Sequence, residues 1–272
     1  MARQYRTALL VGIGAANVSV MSLADKWAEQ NTGPRVLVFD IETAPARAFV
    51  WGLYDQNIAP SQIIEPSRVL CFAAKWLDED KVQFYSERDG ADDMIAAAWS
   101  LLDEADVVVG YNHVKFDVPH LQREMVVRGY GPPSPWIDVD LLPAVRRNFK
   151  FMSNKLGAVT ESLGLDTKDD PGGFATWKAV LDGDTKAWRT MEKYNKQDVL
   201  VTQDLFVYLR GWLKLPHAGL WSGDMTACAD CGCTRLTPDG VHRTKTAAYM
   251  RVVCEQCGIH MRLMSNGQTR RI

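Results

Sequence analysis

Asp40 and Glu42, in the run Phe39-Asp40-Ile41-Glu42-Thr43, are the side chains best suited to chemistry in this 272-residue chain. They close an apolar stretch, Val36-Leu37-Val38-Phe39, that reads as a strand over Arg35–Phe39. Side chains on a strand alternate faces, so the two acids point the same way. Adjacent carboxylates at a buried strand end repel each other and lose hydration. A divalent cation relieves both, and hard oxygen donors suit Mg²⁺ or Mn²⁺. A strand running out into a polar loop would give the same residues, so the pair acquires meaning only with partners.

Two further stretches offer partners. Gly110-Tyr111-Asn112-His113-Val114-Lys115-Phe116-Asp117 follows the apolar run Val107-Val108-Val109 and sets Asp117 near a helix start. There an acid either caps the helix or serves a site at a strand end. In Tyr194-Asn195-Lys196-Gln197-Asp198 the i, i+4 spacing puts Tyr194 and Asp198 on one helix face. Asp198 borders Val199, Leu200 and Val201, and a carboxylate beside apolar surface needs a partner.

These residues need elements to hold them. After the first strand comes a loop with Pro45, Pro60 and Pro66, then strands at Arg68–Trp76 and Lys81–Ser86. Apolar spacing predicts a helix over Asp92–Glu104, and the run at Asp106–Gly110 predicts an interior strand. A helix over Asp117–Gly129, a fifth strand at Trp136–Asp140 and helices to about Leu213 follow, with a break at Gly172-Gly173. The fold class expected is α/β, a five-stranded mixed sheet flanked by helices.

Composition fits a folded chain: 47% hydrophobic and 24% charged, with a net charge of −2 that leaves any basic surface local. No run of 18 apolar residues predicts a spanning helix. Residues 8–20 faintly resemble a signal peptide, but Asn17 and Ser19 interrupt the apolar run, and a cytoplasmic protein is expected. Gly12-Ile13-Gly14 lacks the preceding strand and third glycine of a dinucleotide fingerprint. Residues 1–33 read as a helical extension, either a helix-turn-helix or a helix packed on the following domain. Cys71, alone in an apolar run, reads as a buried small hydrophobe.

Taken together and in order, FDIET, YNxxxFD and YNKQD resemble the DEDD superfamily of 3′→5′ exonucleases with an RNase H-like fold, the DnaQ-like group. The tyrosine four residues before the last acid resembles the DEDDy branch shared with family B polymerase proofreading domains. Within the superfamily the sequence is most similar to predicted nucleases of the RNase_H_2 type. The likeness covers roughly residues 35–213 and sets the exonuclease domain at residues 34–214. It implies catalytic metal ligands at Asp40, Glu42, Asp117 and Asp198, holding two Mg²⁺ or Mn²⁺ ions. It gives Tyr194 the role of positioning water, a phenol with a pKa near 10 being a poor base on its own. Asn112 and Phe116 become candidates for the terminal nucleotide; Phe116 either stacks on a base or belongs to the core. His113 reads as a loop side chain, since the sister branch carries its histidine five residues before the last acid, where this chain has Lys193. Asp138 and Asp140 stand where the family often has a DTL step and receive no firm role. Arg146, Arg147, Lys150 and Lys155, around Phe149 and Phe151, read as a phosphate-backbone track or as an ordinary solvated basic face, with Ser153 expected to cap the helix that follows.

After Pro216 the character changes. Cys228-Ala-Asp-Cys231 and Cys254-Glu-Gln-Cys257 form paired CxxC knuckles, the pattern of one tetrahedral structural Zn²⁺. Cys233 is a spare thiol that either replaces Cys231 as ligand or stays free, the outer pattern being preferred because Gly232 after Cys231 mirrors Gly258 after Cys257. Residues 220–272 resemble a zinc ribbon and carry seven Arg/Lys against four acids, a charge suited to nucleic acid, with protein docking as the alternative. The expected activity is metal-dependent 3′→5′ hydrolysis of nucleic-acid ends, single-stranded DNA ahead of RNA, with replication or repair proteins as partners. A nucleic-acid-binding module and a structure-selective endonuclease on the same scaffold are the alternatives.

Overall fold

A computed structural model describes residues 34–165 and 172–272. The expected helical extension over residues 1–33 lies outside them. The strands β1 (Val36–Ala44), β4 (Arg68–Trp76), β5 (Gln83–Ser86), β6 (Val107–Gly110) and β7 (Ile137–Asp140) form a sheet in the order β5-β4-β1-β6-β7. β1 pairs antiparallel with β4 and parallel with β6, β7 runs parallel to β6, and β5 antiparallel to β4. This is the RNase H-like mixed sheet expected.

Alternation along β1 divides the core. Leu37, Phe39 and Ile41 face α1 (Glu87–Glu104) and α2 (Asp117–Val127), packing with Met94, Ile95, Leu102, Leu121 and Met125. Val36 and Val38 face the other layer, where Val199, Val201 and Leu205 come from the long helix α6 (Thr185–Leu209). α3 (Leu141–Asn148), α4 (Leu156–Ser162) and α5 (Phe174–Leu181) complete the body.

β1 is longer than its apolar run. The sequence places Asp40 and Glu42 beyond a strand ending at Phe39, whereas the strand continues through both to Ala44. β6 accompanies it only over Val36–Val38, but β4 goes on pairing, with Ala73 opposite Asp40 and Cys71 opposite Glu42. One edge of β1 is therefore unaccompanied by β6 where the acids sit, and a register shift follows between Glu42 and Thr43. The proline-bearing loop holds a small separate ribbon, β2 (Arg47–Ala48) with β3 (Ile63–Glu65).

The tail begins with a short helix, α7 (Gly219–Ser222). It continues as a four-stranded antiparallel sheet of β8 (Leu236–Arg243), β9 (Ala248–Cys254), β10 (His260–Leu263) and β11 (Thr269–Arg271), in the order β11-β10-β9-β8. Its buried cluster is small: Cys228, Ala229, Val252, Cys254 and Met261. The Asp230 side chain, 1% exposed, forms ion pairs with Arg271 and, at 2.8 Å, with Arg210 just beyond α6. Arg271 also donates to the carbonyls of Leu213 and Arg210. Among the described residues, no helix is long and apolar enough to cross a membrane.

Candidate metal centre

α6 carries a buried stripe at Trp188, Met191, Asn195, Asp198, Thr202, Leu205 and Leu209, a spacing of alternating threes and fours. Its two ends are apolar and its middle is polar. Asp184 starts the helix by accepting from the Lys186 and Ala187 N–H groups at 2.6 and 3.1 Å. The helix lies on the β1 face that bears Val36 and Val38, and alternation puts Asp40 and Glu42 on that same face. The polar middle of the stripe meets them there. Carboxylate oxygens of Asp40, Glu42 and Asp198 all lie within 4.8 Å of one another.

Three carboxylates so close, with Asp198 only 2% exposed, form a hard-oxygen donor set whose mutual repulsion a divalent cation would relieve. Asn195 orients one of them: its Nδ2 donates to Asp40 Oδ2 at 2.8 Å and to the Asp40 carbonyl at 3.1 Å. Sequence reasoning passed over Asn195. The signal was its position three residues before Asp198, on the same face of the helix. Tyr194 is half-buried, its ring set edge-on to Trp177 at 6.2 Å.

Asp117 stands apart from this trio. It is not the N-cap of α2, a position held by Phe116 with no side-chain cap bond. Its Oδ1 accepts instead from the Ile41 N–H at 3.1 Å, on the edge that β6 has left open. Burial pushes its carboxyl up to about 6, against the Ile41 N–H and the nearby His113, which pull it down. The fourth acid is thus fastened to the backbone between Asp40 and Glu42 without joining their cluster.

His113 lies in the turn after β6, as its reading as a loop side chain expects, but its ring does not face solvent. It is wholly buried, its Nε2 3.0 Å from Asp138 Oδ1 and its ring edge-on to Phe39. The turn after β6 folds back under the sheet, and Gly110 leaves the room: a Cβ there would stand 2.7 Å from His113 Cβ. The acids without an assigned role acquire one. Asp138 also accepts from Trp136 Nε1 at 2.8 Å, and these bonds hold its carboxyl below the usual range. Asp140 Oδ1 accepts from Asn112 N–H at 2.8 Å and caps α3 through Leu142 N–H at 3.1 Å. Asn112 itself sits in the left-handed region, φ 70°, which asparagine tolerates better than most residues.

An open cleft of about 660 Å³ begins at Asp40 and is lined by Tyr111, Arg146, Asn154, Lys155 and Leu156, among others. Two of the four basic residues expected along a phosphate track, Arg146 and Lys155, are therefore in the wall with Asp40. Arg147 is not; it is exposed and reaches Asn148 Oδ1 at 3.4 Å. Burial pushes the Tyr111 phenol up to about 12, and it donates to the Asn154 carbonyl at 2.6 Å. Phe116 is 41% exposed, which excludes its core reading, and its ring lies 4.5 Å from that of His120. Ser153 does not cap α4. Lys155 holds the N-cap position, and Ser153 Oγ, two residues before it, accepts the Lys155 N–H at 3.3 Å.

In the tail, sulfurs of Cys228, Cys231, Cys254 and Cys257 lie within 4.8 Å of one another, Cys228 to Cys257 and Cys231 to Cys254 both at 3.6 Å. The set is consistent with a zinc ribbon. Burial raises the Cys231 thiol to about 11. At Cys254 burial acts the same way, but the N–H groups of Cys257 and Gln256 overcome it and lower the thiol to about 7. Cys233 lies outside the set, its sulfur accepting from the Arg235 N–H at 3.4 Å.

A mixed sheet in this strand order, with carboxylates from its middle strand and from a late helix on one face, defines an RNase H-like α/β protein. Residues 37–210 match the RNase_H_2 family model of the RNase H superfamily, and the chain belongs to that family. Among solved structures, it is similar to the family B DNA polymerase of the hyperthermophilic archaeon Pyrobaculum calidifontis. The TM-score is 0.49 at 20% identity, over 74% of this chain and 26% of that one. Among curated proteins, the large ribosomal subunit protein uL1 of Borreliella burgdorferi (strain ZS7) is 29% identical over 122 residues. These are 43% of this chain and 54% of that protein, so the chain spans about half of its length.

Proposed function

We propose that the chain is a metal-dependent 3′→5′ exonuclease of the DEDDy type, acting on single-stranded ends of DNA ahead of RNA and releasing nucleoside monophosphates. The observation that carries this is the convergence of Asp40, Glu42 and Asp198, residues up to 158 positions apart, to within 4.8 Å. Membership in the RNase H superfamily supports nuclease-type chemistry. In this reading Asp40, Glu42 and Asp198, with Asp117 alongside, hold two Mg²⁺ or Mn²⁺ ions. Such ions supply an activated water and charge stabilisation at the scissile phosphate. Asn195 fixes the rotamer of Asp40. Tyr194, one helical turn before Asp198, orients the attacking water. Arg146 and Lys155 draw the anionic backbone into the cleft, and Asn112 and Phe116 contact the terminal nucleotide.

Residues 34–214 form the nuclease unit in this reading. Residues 220–272 are a ribbon closed by one Zn²⁺ at Cys228, Cys231, Cys254 and Cys257, and its basic surface receives nucleic acid or a replication or repair protein.

Matched 5′-labelled DNA and RNA oligonucleotides, incubated with Mg²⁺, Mn²⁺ or EDTA, test the proposal. A stepwise ladder from the 3′ end that EDTA abolishes is expected. Asp40→Ala should lower the rate by at least about 10³-fold with the circular dichroism spectrum unchanged. A single internal cut would make the protein an endonuclease, and binding without cleavage would make it a binding module.

A further inference from the structure

The ribbon of β2 and β3 belongs to neither large sheet. An isolated two-stranded ribbon is marginal in water unless another surface covers it. This one displays large apolar side chains: Trp51 is 98% exposed and Tyr54 84%, and Phe49, Leu53, Ile58 and Ile63 are exposed as well. The segment is held in shape rather than loose. Gln62 fastens it on two sides, its Nε2 donating to the Phe49 carbonyl at 2.9 Å and its Oε1 accepting from the Ala59 N–H at 2.8 Å. Gln56 Nε2 donates to the Tyr54 carbonyl at 2.7 Å. A preformed patch of this kind loses little conformational freedom on docking.

We propose that this arm is the contact surface for a second copy of the chain, in a two-fold symmetric dimer. Three observations favour that occupant. Between Pro45 and Pro66 there are three charged residues, and Arg47 and Glu65 neutralise each other at 2.8 Å. Only Asp55 remains, so two copies of the patch meet without appreciable repulsion, and no free cation is offered to a phosphate backbone. Second, an isologous interface needs a patch complementary to itself, which an apolar, nearly uncharged surface is. Third, the size fits. Each aromatic buries roughly 150–250 Å² when covered. With the aliphatic neighbours the patch reaches about 800 Å², one partner's share of a standard interface.

Sedimentation equilibrium of the full chain across a concentration series tests this. A reversible dimer is expected. Trp51→Glu and Tyr54→Glu should each raise its dissociation constant about 30-fold or more, with an unchanged circular dichroism spectrum. Neither residue belongs to the proposed active site, so Mn²⁺ affinity should be unchanged in both variants. A monomer at the highest soluble concentration would overturn the proposal, as would a dimer indifferent to both substitutions. Quenching of Trp51 in a monomer by a thymidine oligonucleotide would give the arm to nucleic acid instead. A monomer whose Trp51 is opened to acrylamide by removal of residues 1–33 would give it to that segment. Both outcomes also overturn the dimer.

Discussion

At the scale of single residues, Asp117 shows how one buried carboxylate can be costly to the fold. Its ordinary carboxyl value of 3.8 rises to about 6 on folding, chiefly through burial. The folded protein therefore binds this proton more tightly than the unfolded chain does. The cost is complete above the folded value, near pH 6, and disappears as pH falls toward 3.8. A rise of this size destabilises the fold at neutral pH by something on the order of 2–3 kcal/mol. Asp117→Asn keeps an oxygen for the Ile41 N–H and removes the charge. In EDTA at pH 7 it should raise the urea midpoint, by a free-energy gain on the order of 2 kcal/mol, and the gain should shrink to near zero by pH 4. Equal gains at both pH values would mean that the charge is not the source of the cost.

At the scale of elements, the strand-to-helix turn after β6 is tightly built. Gly110 ends the strand, His113 packs against its Cα, and the His113 carbonyl accepts from the Val118 N–H at 2.9 Å to start the helix that carries Asp117. A methyl at residue 110 would meet a ring that is wholly buried and held by Asp138, so the ring has nowhere to swing. Gly110→Ala should cost about 2–3 kcal/mol, in the range of overpacked cores. The melting temperature should fall by roughly 5–10 °C. Adding His113→Gly, which removes the Cβ that stands 2.7 Å away as well as the ring, should cost far less in that background than in the wild-type chain, a coupling that a double-mutant cycle in thermal denaturation would measure. Additive losses would disprove the contact.

At the scale of the whole molecule, the tail is joined to the body through its own first knuckle. Asp230 lies between Cys228 and Cys231 in sequence and is clasped by Arg210, which follows the helix carrying Asp198, and by Arg271, on the last strand. About fifty residues around a core of five buried side chains have little hydrophobic support, so metal binding should supply much of their folding free energy. Cys254→Ser should make residues 220–272 sensitive to protease and speed amide hydrogen exchange at 205–213, while β1 and β4 stay protected. Unchanged exchange in the tail would show that four thiolates are not what folds it.

The limits of reading the sequence fall at particular residues. The five strands and the main helices could be read from apolar periodicity, and the acids from their motifs, because local spacing and face alternation depend on neighbours in sequence; the order of the strands in the sheet could not. The extent of β1 could not, since Asp40 and Glu42 interrupt the apolar run and only pairing with β4 carries the strand past them. His113 could not either, because its burial rests on a glycine that leaves space and on an aspartate 25 residues away. The exposed ribbon at 47–65 read as a proline-bearing loop, for its pairing is too short to print a period. By itself the sequence determined which side chains are fit for metal chemistry and which elements bear them. Tertiary structure alone decided that Asn195 grips Asp40, that Asp117 stands beside the cluster rather than in it, and that Arg146 and Lys155 share a wall with Asp40 while Arg147 does not. Those outcomes depend on which faces of distant elements come to rest against each other, which burial and packing settle and local spacing does not.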